Sequence, residues 1–219
     1  MRNVILTDCD GVLLNWEDAF LQWMVRNGYE LHSCREFDNH GINIAHAFSI
    51  PDAEVGRFIK TFNESAEISE LPPLRDAIKY VRKLHEEHGY VLHAITSFST
   101  GSPAADRLRR KNLKNLFGTA IGRLVCLPIR GDKADSLRPY GGQGIIFVED
   151  RIENADLAIS LGIEGVLMEH DYNYHYNGAA TQVKNWKEIY HYVVDGEEPS
   201  IYAERRQNAY EGGLRKLGQ

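Results

Sequence analysis

Short apolar runs alternate with helical patterns along most of the chain. The runs are rich in Val, Ile and Leu, as strands buried on both faces of a sheet should be; they cover residues 4–6, 91–95, 121–127, 145–148 and 165–168. Apolar residues at a 3.6-residue spacing predict helices between them, over residues 74–88, 103–116 and 154–161. Strands that alternate with helices predict βαβ units and a parallel sheet.

The segment from residue 16 to residue 71 breaks this rhythm. It contains two helical patterns, over residues 16–27 and 52–63, and no convincing buried strand. Pro51 lies just inside the start of the second pattern with Ser49 as a candidate cap, and Pro72-Pro73 ends the segment. We therefore predict an α/β core of residues 1–14 and 72–195, a helical cap over residues 15–71, and a polar tail or surface helix over residues 196–219.

Composition and charge narrow the class of protein. Hydrophobic residues make up 43% and charged residues 26%, which is ordinary for a globular domain and excludes a disordered chain. A net charge of −6 predicts no attraction to nucleic acid or to anionic membranes. The sequence has no apolar run long enough to span a membrane and no signal-peptide pattern. Three widely spaced cysteines add the expectation of a reduced, cytoplasmic protein.

Polar side chains lie at the ends of the predicted strands. In an open parallel sheet, ligands bind at the carboxyl ends of the strands. The residues there are Asp8 and Asp10 after the first strand, Thr96 and Ser97 after the second, Lys133 beside a predicted helix start, and Glu149 and Asp150 after the fourth strand. The sequence therefore predicts that these side chains converge on one rim of the sheet.

This set of side chains suits phosphoryl transfer from a monoester. A carboxylate such as Asp8 can act as a nucleophile through an aspartyl-phosphate, which replaces one difficult displacement by two easier ones. Carboxylates on two loops can hold Mg²⁺, a hard ion that prefers oxygen ligands, and a lysine with a hydroxyl can bind the other phosphoryl oxygens. Asp10, on a tight turn at Gly11, is the candidate to protonate the leaving alkoxide and then to activate water.

Four of these segments resemble the four motifs of the haloacid dehalogenase (HAD) superfamily. Asp8-Cys9-Asp10-Gly11-Val12 is similar to the first motif, DxDG[VT], which follows an apolar strand. Thr96 resembles the second motif, Lys133 the third, and Glu149-Asp150-x-x-x-Asn154 the fourth, in the expected order. The resemblance covers residues 4–161. It implies an α/β fold, a HAD-like Rossmannoid three-layer parallel sheet with a small helical cap inserted after the first strand.

The resemblance also implies a role for each motif position. Asp8 is implied as the nucleophile and Asp10 as the acid and base. Mg²⁺ is the implied cofactor, held by Asp8, Asp150 and the backbone carbonyl of Asp10. Thr96 and Lys133, with Ser97 as a further hydroxyl, are implied as the phosphate-binding residues. Glu149 and Asn154 are expected to support these ligands, since Asn154 stands where many members have Asp. The dehalogenases of the superfamily lack the second aspartate, so Asp10 favours a phosphatase.

The predicted cap is rich in aromatic residues, whose faces can stack on a nucleobase. Trp16 and Phe48, near the helix ends, are the substrate candidates. Four others have helical spacing and are expected to pack the cap: Phe20, Trp23, Phe58 and Phe62. Asp171-Tyr172-Asn173 and residues 183–189 resemble the C-terminal end of the 5′-deoxyribonucleotidase branch, although the proline and arginine of that branch are missing here. This second resemblance implies nucleotide substrates.

We therefore expect a Mg²⁺-dependent phosphomonoester hydrolase that acts on nucleoside or deoxynucleoside 5′-monophosphates. A sugar phosphate or another small phosphorylated metabolite is the alternative substrate. A non-enzymatic aspartate phosphoacceptor is the main rival function, and a sugar-nucleotide transferase and a silent binding protein are less favoured alternatives. The expected partner is the small-molecule phosphomonoester, without membrane or nucleic acid, and a homodimer is left open.

Other conspicuous groups are interpreted as structural. The basic run on the helix over residues 103–116 is expected to form a solvated face; it consists of Arg107, Arg109, Arg110, Lys111 and Lys114. His170 and His175 are expected to have no ligand role.

Overall fold

The structure is a computed structural model that describes residues 3–33, 36–38 and 41–200. The strands in this part of the chain are β1 (Val4–Thr7), β2 (Phe37–Asp38), β3 (Gly41–Ile42), β4 (Val91–Ser99), β5 (Ile121–Pro128), β6 (Ile146–Glu149), β7 (Glu164–Met168) and β8 (Thr181–Val183). The α-helices are α1 (Trp16–Arg26), α2 (Ile44–Phe48), α3 (Asp52–Glu64), α4 (Ala77–His88), α5 (Pro103–Phe117), α6 (Ala134–Leu137), α7 (Ile152–Ser160) and α8 (Trp186–Val194). Short 3₁₀ helices cover Ala66–Ser69, Gly118–Ala120 and Arg138–Tyr140.

Six strands form one parallel sheet in the order β5-β4-β1-β6-β7-β8. The strand β1 lies between β4 and β6, with Val4 opposite Val91 and Leu6 opposite Phe147. The loops that follow these three strands therefore meet at one edge of the sheet. The strands β2 and β3 pair separately as a short antiparallel ribbon.

Helices cover both faces of the sheet. Along β6, Ile146 and Val148 pack into the core shared with α4, α5 and α8, whereas Phe147 packs with Leu137 of α6 and Ala158 of α7. Alternating side chains of one strand thus fill two cores, as expected for a strand buried on both faces. The predicted three-layer α/β fold is confirmed.

The five predicted strands correspond to β1, β4, β5, β6 and β7. The strand β4 continues to Ser99, so Thr96 and Ser97 lie inside it rather than after it. The strand β8 was not predicted, because three residues carry too little pattern to be distinguished from a loop. The predicted helices over residues 74–88, 103–116 and 154–161 correspond to α4, α5 and α7 with shifted ends.

The segment between β1 and β4 contains more elements than its pattern predicted. The helices α1 and α3 match the two predicted helices, whereas α2 and the two-residue strands of the β2–β3 ribbon were not predicted. Ser49 adopts a left-handed conformation (φ 50°) that ends α2, and Pro51 instead takes the N-cap position of α3. The amide of Asn112 in α5 donates to the carbonyls of Ser69 (3.4 Å) and Leu71 (3.0 Å), which fastens the segment to the core. The domain boundaries at residues 15 and 71 stay predictions.

Aromatic side chains pack this segment. The rings of Trp16 and Phe20 stack with centroids 4.9 Å apart, and Phe62 meets both rings edge-on. Trp23 tilts onto Phe62 at 5.5 Å, and Phe58 is buried. The four aromatic residues expected to pack the cap do pack it.

The helix α8 is tied to the loop after β1. The indole Nε1 of Trp186 donates to the carbonyl of Val12 (2.8 Å). The carboxylate of Asp76 accepts from the backbone amides of Trp186 (3.0 Å) and Lys187 (3.1 Å), which caps the start of α8. A late segment of the chain thus supports the loop that carries the two N-terminal aspartates.

Within residues 3–33, 36–38 and 41–200, no helix is both long and apolar enough to cross a membrane. Most of the tail predicted over residues 196–219 lies outside the described residues. The cytoplasmic location and the homodimer stay predictions.

Candidate active site

A cavity of about 640 Å³ lies where the carboxyl edge of the sheet meets the segment between β1 and β4. Eight of the ten predicted site residues line it: Asp8, Asp10, Trp16, Thr96, Ser97, Lys133, Asp150 and Asn154. The other two, Glu149 and Phe48, are buried outside the lining. The sheet therefore brings residues from distant parts of the chain to one cavity.

The turn after β1 places Asp8 next to Asp150. The Asp8 amide donates to the carbonyl of Val148 (2.9 Å), and Asp8 Oδ1 accepts from the Cys9 amide (2.7 Å). Gly11 has a φ of +73°, and a Cβ at this position would lie 2.5 Å from Asp150 Oδ2. Glycine is therefore required here both for the backbone conformation and for the close approach of the two loops.

Lys133 is a buried cation between two carboxylates. Its side chain is 1% exposed, and Nζ lies 3.1 Å from Asp8 Oδ2 and 2.6 Å from Glu149 Oε2. Burial alone would lower the pKa of Lys133, but the two carboxylates raise it above its usual value. The lysine thus stays charged at neutral pH and fixes the orientation of Asp8.

Glu149 is fully buried and saturated with hydrogen-bond donors. Its Oε1 accepts from the amides of Asp150 and Arg151 (both 3.1 Å), and its Oε2 accepts from Lys133 (2.6 Å) and Asn154 Nδ2 (3.2 Å). Burial raises the pKa of Glu149 to about 7, while the Lys133 ammonium opposes this rise. A carboxylate with four donors has its lone pairs occupied. Glu149 therefore positions Lys133 and Asn154 and has little capacity left to bind an ion.

Asp150 offers an oxygen that suits a cation. Its Oδ2 accepts from the Tyr172 hydroxyl (2.5 Å), whereas its buried Oδ1 has no hydrogen-bond partner among the residues that the structure describes. Oxygen atoms of Asp8, Glu149 and Asp150 lie within 4.8 Å of one another. Burial, followed by the charge of Asp8, raises the pKa of Asp150, so a cation between them would relieve their repulsion. An all-oxygen set with one unpartnered buried atom fits Mg²⁺.

Arg109 contradicts the prediction of a solvated basic face on α5. Its side chain is 0% exposed, and its guanidinium binds Asp10 with both nitrogens, Nη1 to Oδ1 at 2.5 Å and Nη2 to Oδ2 at 3.0 Å. Arg107 and Arg110 on the same helix are exposed, as expected. Burial raises the pKa of Asp10, and Arg109 opposes that rise. The physical reason for the error is that one position of this basic run faces an aspartate 99 residues earlier.

The two hydroxyls of β4 have different surroundings. Ser97 Oγ donates to the carbonyl of Gly131 (2.9 Å), in the loop that leads to Lys133. Thr96 is 1% exposed and lines the cavity beside it. Because the Ser97 hydroxyl already holds the lysine loop, Thr96 is the better candidate to contact a phosphoryl oxygen.

Three residues of the loop after β7 support the site. Tyr172 donates to Asp150 and stacks on His170 with centroids 5.1 Å apart. His170 Nε2 lies 2.7 Å from the Gly11 carbonyl, and burial lowers the pKa of His170 to about 4. Asn173 Nδ2 donates to the carbonyls of Asp150 (2.7 Å) and Met168 (2.8 Å). From the sequence, Tyr172 and Asn173 could be recognised only through a family resemblance, and His170 was expected to have no ligand role.

The wall of the cavity opposite the sheet is mainly apolar. The apolar residues of this wall are Trp16, Phe20, Leu21, Ile42, Ile44, Val55 and Ile59. The Trp16 indole Nε1 donates to Asn63 Oδ1 (2.9 Å), whose amide reaches the Phe98 carbonyl of β4 (3.4 Å). Phe48 is 4% exposed and packs in the core, because burying an aromatic ring is more favourable than leaving it at the cavity. The structure therefore does not bring Phe48 to the cavity lining, and its contact with substrate stays a prediction.

Comparison with protein sequences gives one partial relative. No model of a protein family matches the chain. An uncharacterized 32.4 kDa protein of the Gp30-rIII intergenic region of Enterobacteria phage T4 is 30% identical over 128 residues, which are 57% of this chain and 45% of that protein. The chain thus matches less than half the length of this relative.

Comparison with solved structures gives the fold. CbbY from Rhodobacter sphaeroides, in complex with phosphate, is similar with a TM-score of 0.56 and 18% identity over 86% of this chain and 96% of that one. The haloacid dehalogenase-like hydrolase SP0104 from Streptococcus pneumoniae has a TM-score of 0.57 and 16% identity over 87% and 98%. The haloacid dehalogenase-like protein ATU0790 from Agrobacterium tumefaciens has a TM-score of 0.57 and 15% identity over 89% and 99%. The chain has the fold of haloacid dehalogenase-like hydrolases.

Proposed function

We propose that the protein is a Mg²⁺-dependent phosphomonoester hydrolase that works through a phosphorylated aspartate. The observation that carries the proposal is the arrangement around Asp8. This carboxylate is held by the buried ammonium of Lys133 and lies beside an Asp150 oxygen that lacks a partner among the described residues. Asp10 is two residues away and paired elsewhere. A nucleophile, a metal ligand and an acid are thus separate groups at one cavity.

In the first half-reaction, an Asp8 carboxylate oxygen attacks the phosphorus of the substrate and forms a new P–O bond. The bond from phosphorus to the leaving oxygen breaks, and the leaving alkoxide takes a proton from the Asp10 carboxyl. Lys133 and Thr96 bind the other phosphoryl oxygens, whose charge would otherwise oppose the attack of an anion.

In the second half-reaction, Asp10 takes a proton from a water molecule that attacks the same phosphorus. The bond from phosphorus to Asp8 breaks, which releases inorganic phosphate and restores the carboxylate. Asp8, Asp150 and the backbone carbonyl of Asp10 are the residues that would hold the metal ion. When bound, Mg²⁺ supplies positive charge that offsets the carboxylates and the phosphoryl group.

Nucleoside or deoxynucleoside 5′-monophosphates are the substrates that we propose first. The apolar wall around Trp16 is suited to a planar, weakly polar leaving group, since stacking a base on an aromatic ring contributes about 1–3 kcal/mol. The resemblance of residues 171–173 and 183–189 to the deoxyribonucleotidase branch supports the same class. These residues include Tyr172, Asn173 and Trp186, which brace the loops that carry the aspartates.

A sugar phosphate is the second candidate substrate. CbbY from Rhodobacter sphaeroides has been solved with phosphate and with xylulose-(1,5)bisphosphate. The cavity of the present chain also has polar lining residues on the side of the cap, among them Asn15, Asn43 and Asp52, which can bind sugar hydroxyls. A phosphoacceptor without turnover is less well supported, because such a module needs no acid like Asp10.

The test is phosphate release from a panel of phosphomonoesters, with Mg²⁺ and with EDTA, using the full chain and its Asp8→Asn variant. The panel includes ribo- and deoxyribonucleoside 5′- and 3′-monophosphates, sugar phosphates and simple alkyl phosphates. We expect metal-dependent release, fastest with 5′-nucleotides, that the variant lacks. Release from sugar phosphates alone would keep the reaction and reject the nucleotide. A bound phosphoryl group that never turns over would instead support the phosphoacceptor.

A further inference from the structure

We propose that Arg109 is a positioning residue that orients the Asp10 carboxyl for proton transfer. The inference rests on the proposed function, because it assigns to Arg109 a part in the step that Asp10 performs. Its basis is the two-nitrogen contact, 2.5 and 3.0 Å, between a fully buried guanidinium and an Asp10 side chain that is 29% exposed. This geometry fixes the plane of the carboxyl group at the cavity wall.

The packing of Arg109 makes its guanidinium a rigid support. Its Cζ lies 4.3 Å from the centroid of the Phe98 ring, in the strand β4 that also carries Thr96. Its Nε is buried and has no hydrogen-bond partner among the described residues, whereas both of its Nη atoms donate to Asp10. Taking a cation out of water costs several kcal/mol when it is not well paired. The pairing with the Asp10 carboxylate therefore offsets the cost of burying the Arg109 guanidinium.

The Asp10 carboxylate lies near other positive charges that could attract it away from its position at the cavity wall. Lys133 interacts electrostatically with Asp10, and the carboxylates of the proposed metal site are those of Asp8 and Asp150. The Asp10 carboxylate is not among the oxygen atoms that lie within 4.8 Å of one another there. By holding Asp10, Arg109 keeps it out of the metal site and leaves each of its oxygens a lone pair for a proton.

Fastening the cap is the alternative role for a buried polar residue of α5, but Asn112 performs it. Asn112 lies three residues after Arg109 and binds the carbonyls of Ser69 and Leu71. Arg109 instead donates its hydrogen bonds to Asp10, which belongs to the α/β core. The two residues therefore have different roles: Asn112 attaches the cap, and Arg109 orients the Asp10 carboxyl.

The experiment compares two substrates of the full-length enzyme with Mg²⁺: the alkyl phosphomonoester that it hydrolyses fastest, and p-nitrophenyl phosphate. The nitrophenolate leaves without needing a proton, whereas an alkoxide needs one from Asp10. For Arg109→Met we expect the single-turnover rate of alcohol release from the alkyl ester, which reports only the first half-reaction, to fall about 10²-fold, the lower end of what general acid catalysis contributes. The single-turnover release of nitrophenolate should fall several-fold at most, whereas the steady-state rates of both esters also include the water attack in which Asp10 acts as the base. Arg109→Lys keeps the positive charge but cannot bind both Asp10 oxygens with two nitrogens. Its rate on the alkyl ester should therefore lie between those of the wild type and Arg109→Met.

Arg110→Met is the matched control, because it removes the same charge from an exposed position of the same helix; both substrates should be hydrolysed at the wild-type rate. Asp10→Asn shows how far the rate on the alkyl ester falls when the acid itself is removed. Adding Arg109→Lys to Asp10→Asn should lower that rate no further, because Arg109 acts through Asp10. If Arg109→Met does not fold, Arg109→Lys carries the same comparison. Equal losses of the single-turnover rate on both substrates, or none on either, would overturn the positioning role while leaving the hydrolase intact. A wild type that hydrolyses neither substrate would overturn the proposed function and this inference with it.

Discussion

The two walls of the cavity differ in how their residues are held. On the sheet side, Lys133, Glu149 and Asp10 are each fixed by at least two polar contacts. On the side of the cap, the lining is formed mainly by aliphatic and aromatic side chains, and Trp16 donates a hydrogen bond to Asn63. Polar networks specify positions closely, because every unmade hydrogen bond in a buried site is costly. Apolar contacts depend on shape and area and tolerate change.

This difference suggests that the sheet side carries out the reaction and that the apolar wall recognises the substrate. We expect substitutions on the sheet side to lower kcat for all substrates, or to lower stability, since they leave buried charges without partners. Substitutions on the apolar wall are expected to change KM and substrate preference. The predictions below test this separation, beginning with the largest expected effect.

The strongest test is Asp8→Asn. The amide is nearly isosteric but cannot form the covalent intermediate, so kcat should fall on the order of 10⁴-fold or more for every substrate. Lys133 keeps Glu149 as a partner, so the fold should persist. Phosphate release and thermal unfolding measure the two effects. Asp135→Asn, at a 99% exposed side chain, is the control and should leave both unchanged. Full Mg²⁺-dependent activity in Asp8→Asn would reject the nucleophile.

Lys133→Met tests whether the sheet-side network also stabilises the fold. The variant leaves Asp8 and Glu149 buried without their common cation, and removal of one partner from such a group costs about 3–5 kcal/mol in the free energy of unfolding. Urea unfolding measures the loss. Lys111→Met removes an exposed lysine that lies 4.0 Å from Glu70 and should cost less than about 1 kcal/mol. Equal effects of the two substitutions would show that the buried contacts of Lys133 contribute no more to the free energy of unfolding than an exposed ion pair does.

His170 should make stability depend on pH. Burial holds its pKa at about 4, below the 6.5 of an unfolded histidine, so the unfolded chain binds more protons between these values. Its contribution is therefore complete above pH 6.5 and is lost as the pH falls toward 4. The loss is about 3 kcal/mol, at about 1.4 kcal/mol for each pKa unit. We expect the difference in unfolding free energy between wild type and His170→Gln to shrink over this range.

The control for this pH dependence is His175→Gln, at an exposed histidine of the same loop. This variant still contains His170, so in urea unfolding it should keep the loss of stability that the wild type shows as the pH falls. If His170→Gln keeps the same loss, burial of the His170 ring is not its cause.

The smallest expected effect is that of Trp16→Leu on the apolar wall. Loss of a stacking surface worth about 1–3 kcal/mol should raise KM for nucleotides about tenfold and leave kcat within a few-fold. Steady-state kinetics with 5′-nucleotides and alkyl phosphates measure this, and the alkyl phosphates should be little affected. Phe48→Leu, in the core beside the same helices, should leave KM unchanged. A selective fall in kcat for Trp16→Leu would contradict the separation of the two walls.

The sheet side could largely be predicted from the sequence, because a parallel sheet brings the carboxyl ends of neighbouring strands together. Asp8, Lys133 and Asp150 follow strands that pair directly with one another or with a common neighbour, so chain order was enough. Glu149 was recognised as a supporting residue, and its four hydrogen bonds agree with that interpretation.

The residues that were missed depend on three-dimensional placement. Arg109 lies in a basic run whose other arginines are exposed, and only the direction of α5 relative to Asp10 distinguishes it. A signal was present, since Ala105, Arg109 and Asn112 share one buried helix face. Phe48 and Trp16 have similar sequence surroundings, and the packing of α2 decides which one reaches the cavity. Such choices among equivalent positions are made by tertiary contacts.

The hydrogen bond from Trp186 to Val12 has a consequence for the order in which the protein is made. It joins residues 174 positions apart, and one of them belongs to the loop that carries Asp8 and Asp10. The central strand β1 leaves the ribosome before α8, so its loop gains this support only after α8 has been synthesised. Contacts of such long range also slow folding. A nascent chain that stops before residue 186 is therefore expected to hold both aspartates without the geometry that makes them a catalytic pair.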